Sequence, residues 1–194
     1  MPRIVETIMT TVDAEGTPHI APLGLIEDGE GWIIAPFRPS RTLDNLRAVP
    51  FAVASHTGDV RVFAGCVTGR KDWPLVPASK VKGVRLAECV SHWELAVERV
   101  TEDEQRPRFH CGVAHTESDA PWEGFNRAQA AVLELAVLST RLHMLPPEKI
   151  DAELKYLDIA ISKTAGPREQ EAWGWLMEKV EAWRRKQTET SGKV

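Results

Sequence analysis

The stretch IVETIMTTVDAEGTPHIAPLGLIEDGEGWIIAPF, residues 4–37, decides the fold. Ile4 to Val12 is rich in Ile, Val and Thr, residues whose branched side chains favour extended backbone. Asp13-Ala14-Glu15-Gly16 then makes a turn, His19 to Ile26 a second apolar run, Glu27-Asp28-Gly29-Glu30-Gly31 another turn, and Trp32 to Phe37 a third run. Strand, glycine-bearing turn, strand, glycine-bearing turn, strand is the pattern of an antiparallel meander. Nothing helical separates the runs, so a doubly wound parallel sheet is disfavoured.

Further along, Pro50 can open a fourth strand over Phe51 to Ser55. Residues 60 to 83 carry Gly65, Gly69, Pro74, Pro77 and Gly83 and read as loop with room for a short helix. Arg85 to Val100 alternates. Its odd positions Ala87, Cys89, Ser91, Trp93, Leu95 and Val97 form a mostly apolar face and Glu88, His92, Glu94 and Glu98 a polar one, as on a half-buried strand or a bent hairpin. Arg108 to Ala114 would close the sheet.

From Asp119 the period changes. Trp122, Phe125, Ala128, Val132, Leu135, Leu138, Leu142 and Leu145 advance in steps of three and four, predicting a helix with Asp119 as N-cap and Pro121 in the first turn. Pro146-Pro147 starts a second helix with stripe Ile150, Leu154, Leu157 and Ile161, stopped by Gly166-Pro167. A third carries Trp173, Leu176, Val180 and Trp183. The expected fold class is therefore α+β. An antiparallel barrel over residues 1–117 is followed by a three-helix domain over 118–187 and a polar tail over 188–194.

Composition limits function. The chain has 194 residues and a net charge of −4, without the basic stripe that a phosphate-backbone binder needs, so no nucleic-acid partner is expected. Three widely spaced cysteines (Cys66, Cys89, Cys111) do not form a disulfide framework. No signal-peptide core and no membrane-spanning apolar run appear, which makes a cytoplasmic location the expectation.

The segment Pro36-Phe37-Arg38-Pro39-Ser40-Arg41-Thr42-Leu43-Asp44-Asn45-Leu46-Arg47 carries the chemistry. Ser40 is placed to cap a short helix whose N-terminal N–H groups favour an anion. Arg38, Arg41 and Arg47 against Asp44 leave this stretch at +2 in a chain of −4. Hydroxyls at Ser40 and Thr42 beside guanidiniums suit a terminal phosphomonoester. The plainer reading is a capped helix with solubilising arginines, and residue types alone leave both open.

Several residues, spread through the chain, resemble one family. Glu6, Thr10-Thr11, Gly16 and Ala21-Pro22-Leu23-Gly24 fit its opening hairpin. Ser40, Thr42 and Asn45-Leu46 fit its phosphate-side motif, and Thr57, Asp59 and Phe63-Ala64 the loop that follows. Asn126-Arg127-Ala128, Glu134, Arg141-Leu142 and Lys163-Thr164 fit its helical part. Together they resemble the FMN-binding split β-barrels of the flavin reductase-like group, and within it domain-of-unknown-function family 447. That resemblance implies a homodimer holding FMN. Arg38, Ser40, Arg41, Thr42 and Asn45 would serve the phosphate; His19, Ala21, Pro22, Leu23, His56 and Thr57 would flank the ring; Lys163 is a further ligand contact. The chain has His56-Thr57-Gly58-Asp59 where the family pattern runs Asn-Thr-Asp-Asp.

Other constellations are weaker. Cys89 and His92 have metal-pair spacing, but on one continuous strand they would face opposite ways, so no metal site is expected. Gly29-Glu30-Gly31 sits in a hairpin and not at a helix start, which rules out a dinucleotide fingerprint. Trp93 and Trp122 are the candidates for stacking on a flavin. No nucleophile–base pair stands out, which suits a flavin-dependent oxidoreductase fed by a reduced nicotinamide, because the cofactor carries the electrons. The alternative is a non-catalytic flavin module acting as carrier, sensor or assembly subunit, or a barrel for deazaflavin, pyridoxal phosphate or haem.

Overall fold

The computed structural model describes residues 2–191, with side chains through Glu189. The chain divides into two compact units. One comprises the residues up to Gly58 together with Asp72–Trp122; the other comprises Asp59–Lys71 and the chain from Glu123 onward.

In the first unit, β1 (Ile4–Val12), β2 (Pro18–Asp28), β3 (Gly31–Ile34), β4 (Phe51–His56), β7 (Ser91–Thr101) and β8 (Arg108–Ser118) close an antiparallel barrel in the order β1-β2-β3-β8-β7-β4. The opening turns form as their residues dictate. Asp13 Oδ1 accepts from Thr17 N at 2.7 Å, and Gly29 supplies a φ of 62° that a side chain would resist. Met9, Leu25, Ile34, Ala52, Ala54, Leu95, Phe109 and Cys111 fill the interior. Helix α1 (Arg41–Ala48) adds Leu43 and Leu46 to that core.

The outer face of β1, β4 and β7 is also dry. A two-stranded sheet, β5 (Leu75–Pro77) with β6 (Val84–Leu86), belongs to the segment that covers it. Thr10 Oγ1 donates toward Val53 O and Val84 O, and Leu86 N donates to Ser55 Oγ at 3.2 Å. This corrects the alternating reading of residues 85–100. The run breaks into β6 and β7, and the expected solvent face holds His92 and Glu94 at 0% exposure. Burial is possible because the Glu94 carboxylate and His92 Nδ1 found partners. Glu94 accepts from Ser79 N (2.6 Å), Lys80 N (2.6 Å) and Val81 N (2.8 Å), and His92 Nδ1 lies 2.7 Å from Asp119 Oδ2.

Other boundaries also move. β3 stops at Ile34, short of the expected Phe37; the Arg106 guanidinium bonds Ala35 O at 2.8 Å and lies 4.3 Å over the exposed Phe37 ring. The final strand runs on to Ser118.

The second unit contains α2 (Arg61–Thr68), α3 (Arg127–Ser139), α4 (Pro147–Thr164) and α5 (Pro167–Ser191), with a 3-10 turn at Leu142–Met144. Of the five α-helices among the described residues, three are the expected C-terminal ones; α1 and α2 lie between strands. Val60, Ala64, Val132, Leu135, Ile150, Leu154, Ile161, Leu176 and Val180 share one core, so the periodic stripes of α4 and α5 were legible. Helix α2 fills part of the stretch read as loop and ends at Gly69, whose φ of 91° is a left-handed C-cap.

The start of α3, the first of the expected C-terminal helices, is a correction. Asp119 does not cap it. Asn126 does, its Oδ1 accepting from Ala128 N (2.7 Å) and Gln129 N (3.2 Å) while Nδ2 donates to Thr164 O. Trp122 and Phe125, counted into the apolar stripe, precede the helix and are 57% and 99% exposed. Leu142 and Leu145 fall beyond its end. The polar tail expected over 188–194 continues α5 through Ser191, and residues 192–194 lie outside the described residues. No helix among the described residues is long and apolar enough to cross a membrane.

Candidate functional site

The residues singled out from sequence fall into three places. The first is the N-terminus of α1. Ser40 adopts extended backbone and its Oγ accepts from Leu43 N at 3.3 Å. The N–H groups of Arg41 and Thr42 remain at the free end of the helix, where the dipole favours an anion. The Arg41 side chain is exposed and makes no ion pair or hydrogen bond among the described residues. Thr42 is buried. Arg38 is committed: it pairs with Glu102 at 2.5 Å, and Arg47 reaches the same carboxylate at 2.8 Å. Asn45 turns inward, its Nδ2 donating to Thr11 Oγ1 at 3.0 Å, which ties α1 to β1.

The second place is midway along β1. Ile8 pairs with Pro22 on one side and with Ser55 on the other, so Ala21, Pro22 and Leu23 on β2 and His56 at the end of β4 flank the same segment. His19 lies further along β2, opposite Thr11. Thr7, beside Leu23, and Thr11, touched by Asn45, are four residues apart, roughly 13 Å of strand. Helix α1 and the His56 group therefore belong to different levels of one barrel. Thr57 follows His56 directly.

His56 is the most distinctive of these residues. Its Nδ1 lies 3.2 Å from Ser91 Oγ, and its ring stands edge-on to Trp93 with centroids 4.4 Å apart. Trp93 in turn lies 4.8 Å from Trp32. Burial lowers the His56 pKa below the ordinary imidazole value, keeping the ring neutral near pH 7. With Ser91 on Nδ1, Nε2 is buried and without a hydrogen-bond partner. A buried polar atom of this kind costs stability unless a ligand completes it. Beside the aromatic row is a cavity of about 420 Å³ lined by Trp32, Ser91, Trp93, Thr116, Glu117 and Ser118, within the size range of ligand sites. Trp93 thus lines a cavity, whereas Trp122 does not line this one.

Lys163 is the third place, exposed in the last turn of α4 within the helical unit. Asp59, singled out with Thr57, accepts from Arg61 at 2.7 Å and starts α2 through Arg61 N, a structural role.

Sequence reasoning missed the His56–Trp93–Trp32 row, because only the strand register brings residues 56, 93 and 32 together. It also dismissed Cys89 with His92. Cys89 precedes β7 and is not on the same strand, so its Sγ and the His92 ring converge on Asp119, at 3.2 and 2.7 Å. The thiols offer no nucleophile: burial pushes Cys66 up to about 11 and Cys111 up to about 12.

Two family models match the chain: the N-terminal domain of DUF447, a protein family of unknown function, over residues 5–120, and its C-terminal counterpart over residues 126–178. An FMN-bound DUF447 protein from Methanosarcina mazei superposes with a TM-score of 0.77 at 21% identity, covering 92% of this chain and 96% of that one. The 2-nitrobenzoate 2-nitroreductase of Pseudomonas fluorescens matches with a TM-score of 0.51 at 17% identity over 61% of this chain and 66% of its own. The flavoredoxin of Desulfovibrio vulgaris matches with a TM-score of 0.51 at 13% identity over 60% and 70%. At these identities the likeness is one of fold. No functionally curated protein is similar in sequence.

Proposed function

The chain belongs to the DUF447 family, and from that membership and the geometry of its barrel we propose that it binds FMN and works as a flavin-dependent oxidoreductase fed by a reduced nicotinamide. The observation that carries the reading is the buried, unpartnered Nε2 of His56, set beside Trp93 in a barrel whose fold is shared with an FMN-bound protein. The residues fit the group. Ser40, Arg41, Thr42 and the first N–H groups of α1 would hold the phosphate, with Arg38 adding charge from its fixed place on Glu102. Pro22, Leu23 and the tryptophan row offer apolar surface to a flat ring, and the free Nε2 of neutral His56 is left to meet a polar atom of that ring. Bound FMN supplies the electron transfer itself, so the protein's part is to anchor, orient and limit water. A homodimer belongs to this proposal; the exposed Ile4, Val100 and Val113 on the barrel are apolar surface that a second copy would cover.

The test is the visible spectrum of the purified protein and of its heat-released ligand, in wild type and in Ser40→Ala/Arg41→Ala. Flavin bands in the wild type that are lost in the double variant support both cofactor and phosphate site. Bleaching of those bands by NADH or NADPH supports turnover. A wild type that takes up no flavin from excess FMN refutes the proposal.

A further inference from the structure

Outside the candidate flavin residues, one cluster in the barrel unit has no role in the reading above. His92 and Glu94 stand two apart on β7, on its outer face, and Glu94 pairs across the ladder with His115 of β8. One donor atom from each of these three side chains lies within 4.8 Å of the others. His92 and Glu94 are fully buried, and the His115 side chain is 27% exposed at the rim.

The orientation of His92 is the second observation. Its Nδ1 lies 2.7 Å from the Asp119 carboxylate, which can only accept, so Nδ1 carries hydrogen and Nε2 is the nitrogen left over. That Nε2 is buried and has no hydrogen-bond partner. It faces Glu94 Oε1 at 3.6 Å, too long for a hydrogen bond. Two ligands on one tetrahedral zinc, each at about 2.0–2.1 Å, are separated by about 3.4 Å. The gap is that of two atoms sharing an ion.

The surroundings are those of metal ligands. A ligating histidine commonly donates its other N–H to a carboxylate, here Asp119, which is itself held by Arg85 at 3.2 Å and Cys89 at 3.2 Å. A ligating carboxylate is commonly fixed by hydrogen bonds, here from the N–H groups of Ser79, Lys80 and Val81. The other grouping, Cys89 with His92 and Asp119, is less suited to a cation because the Arg85 guanidinium already occupies Asp119.

We propose that His92 Nε2, Glu94 and His115 form a three-ligand site for a divalent transition-metal ion, zinc first, with the fourth position open on the His115 side. Two histidines and a carboxylate are a ligand set that zinc takes in sites that keep an open position.

The test uses the full chain as purified and after chelation, titrated with Zn²⁺ by calorimetry and checked by elemental analysis. The wild type is expected to bind one zinc per chain. His115→Ala, at a rim position that leaves the buried pair intact, is expected to weaken binding by about 100-fold or more, and Asp119→Asn by about 10–100-fold. Circular dichroism checks that each variant is folded; should His115→Ala misfold, Asp119→Asn decides. A wild type that binds no zinc, or a folded variant that binds it as the wild type does, overturns the site. Neither result depends on flavin content.

Discussion

Replacing Glu94 with Gln keeps the shape of the side chain and removes one acceptor. In the native protein Oε2 takes the N–H groups of Lys80 and Val81 and Oε1 takes that of Ser79. An amide can present its oxygen to the first pair, and its NH₂ then faces the Ser79 N–H. The variant loses one hydrogen bond to a charged group, about 1.5–3 kcal/mol, and leaves a buried donor unsatisfied at a further cost of about 1–3 kcal/mol. With chelator present, so that no cation contributes, Glu94→Gln should be destabilised by about 3 kcal/mol or more at pH 7 in urea unfolding. Burial alone would raise the Glu94 pKa, but the three N–H bonds outweigh it and hold the carboxyl below its ordinary value. A depressed folded value means that the contribution is fully present above the unfolded pKa of about 4.3 and is lost as pH falls through the folded one. The gap between wild type and variant should therefore narrow in acid. Hydrogen exchange should locate the damage at the amides of Ser79, Lys80 and Val81, with the barrel interior still protected. A variant within 0.5 kcal/mol of wild type at neutral pH, roughly the scale of a surface change, would refute the reasoning.

Two further substitutions probe the frame. Asn126→Ala removes the side-chain cap of α3 and its bond to Thr164 O, and should cost about 1 kcal/mol or somewhat more in the thermal unfolding of the chain. Glu102→Ala frees Arg38 and Arg47, yet the carboxylate is 62% exposed, so unfolding free energy should change by less than about 1 kcal/mol.

How much could be read from sequence depended on whether the informative neighbours were local. The meander over residues 4–37 and the stripes of α4 and α5 were legible because period and turn chemistry are local properties. The Ser40–Thr42 group was legible for the same reason: cap, hydroxyls and guanidiniums are contiguous. His92 and Glu94 were misread because alternation assigns faces without saying what covers them, and residues 72–90 fold over a face that would otherwise meet solvent. Asp119 resembled a cap because an acid followed by Pro121 imitates a helix start. Its carboxylate is instead spent on His92, Cys89 and Arg85, none of them near in sequence. The His56–Trp93–Trp32 row needed the register of strands that do not follow one another.

The chain leaves the barrel unit at Gly58, contributes α2 to the helical unit, and rejoins the barrel at Asp72. Val60 and Ala64 are buried with Ala172 and Leu176, which are synthesised more than a hundred residues later. At about 5–20 residues per second, α2 emerges on the order of ten seconds before its partners in α5 exist. During that interval β7 and β8 can complete the barrel, and α3 covers only part of the apolar side of α2. A nascent chain paused between Lys71 and Asn126 would hold α2 with neither α3 nor α5 yet made to cover it, so the apolar side of this short helix is the surface left waiting longest for its partners.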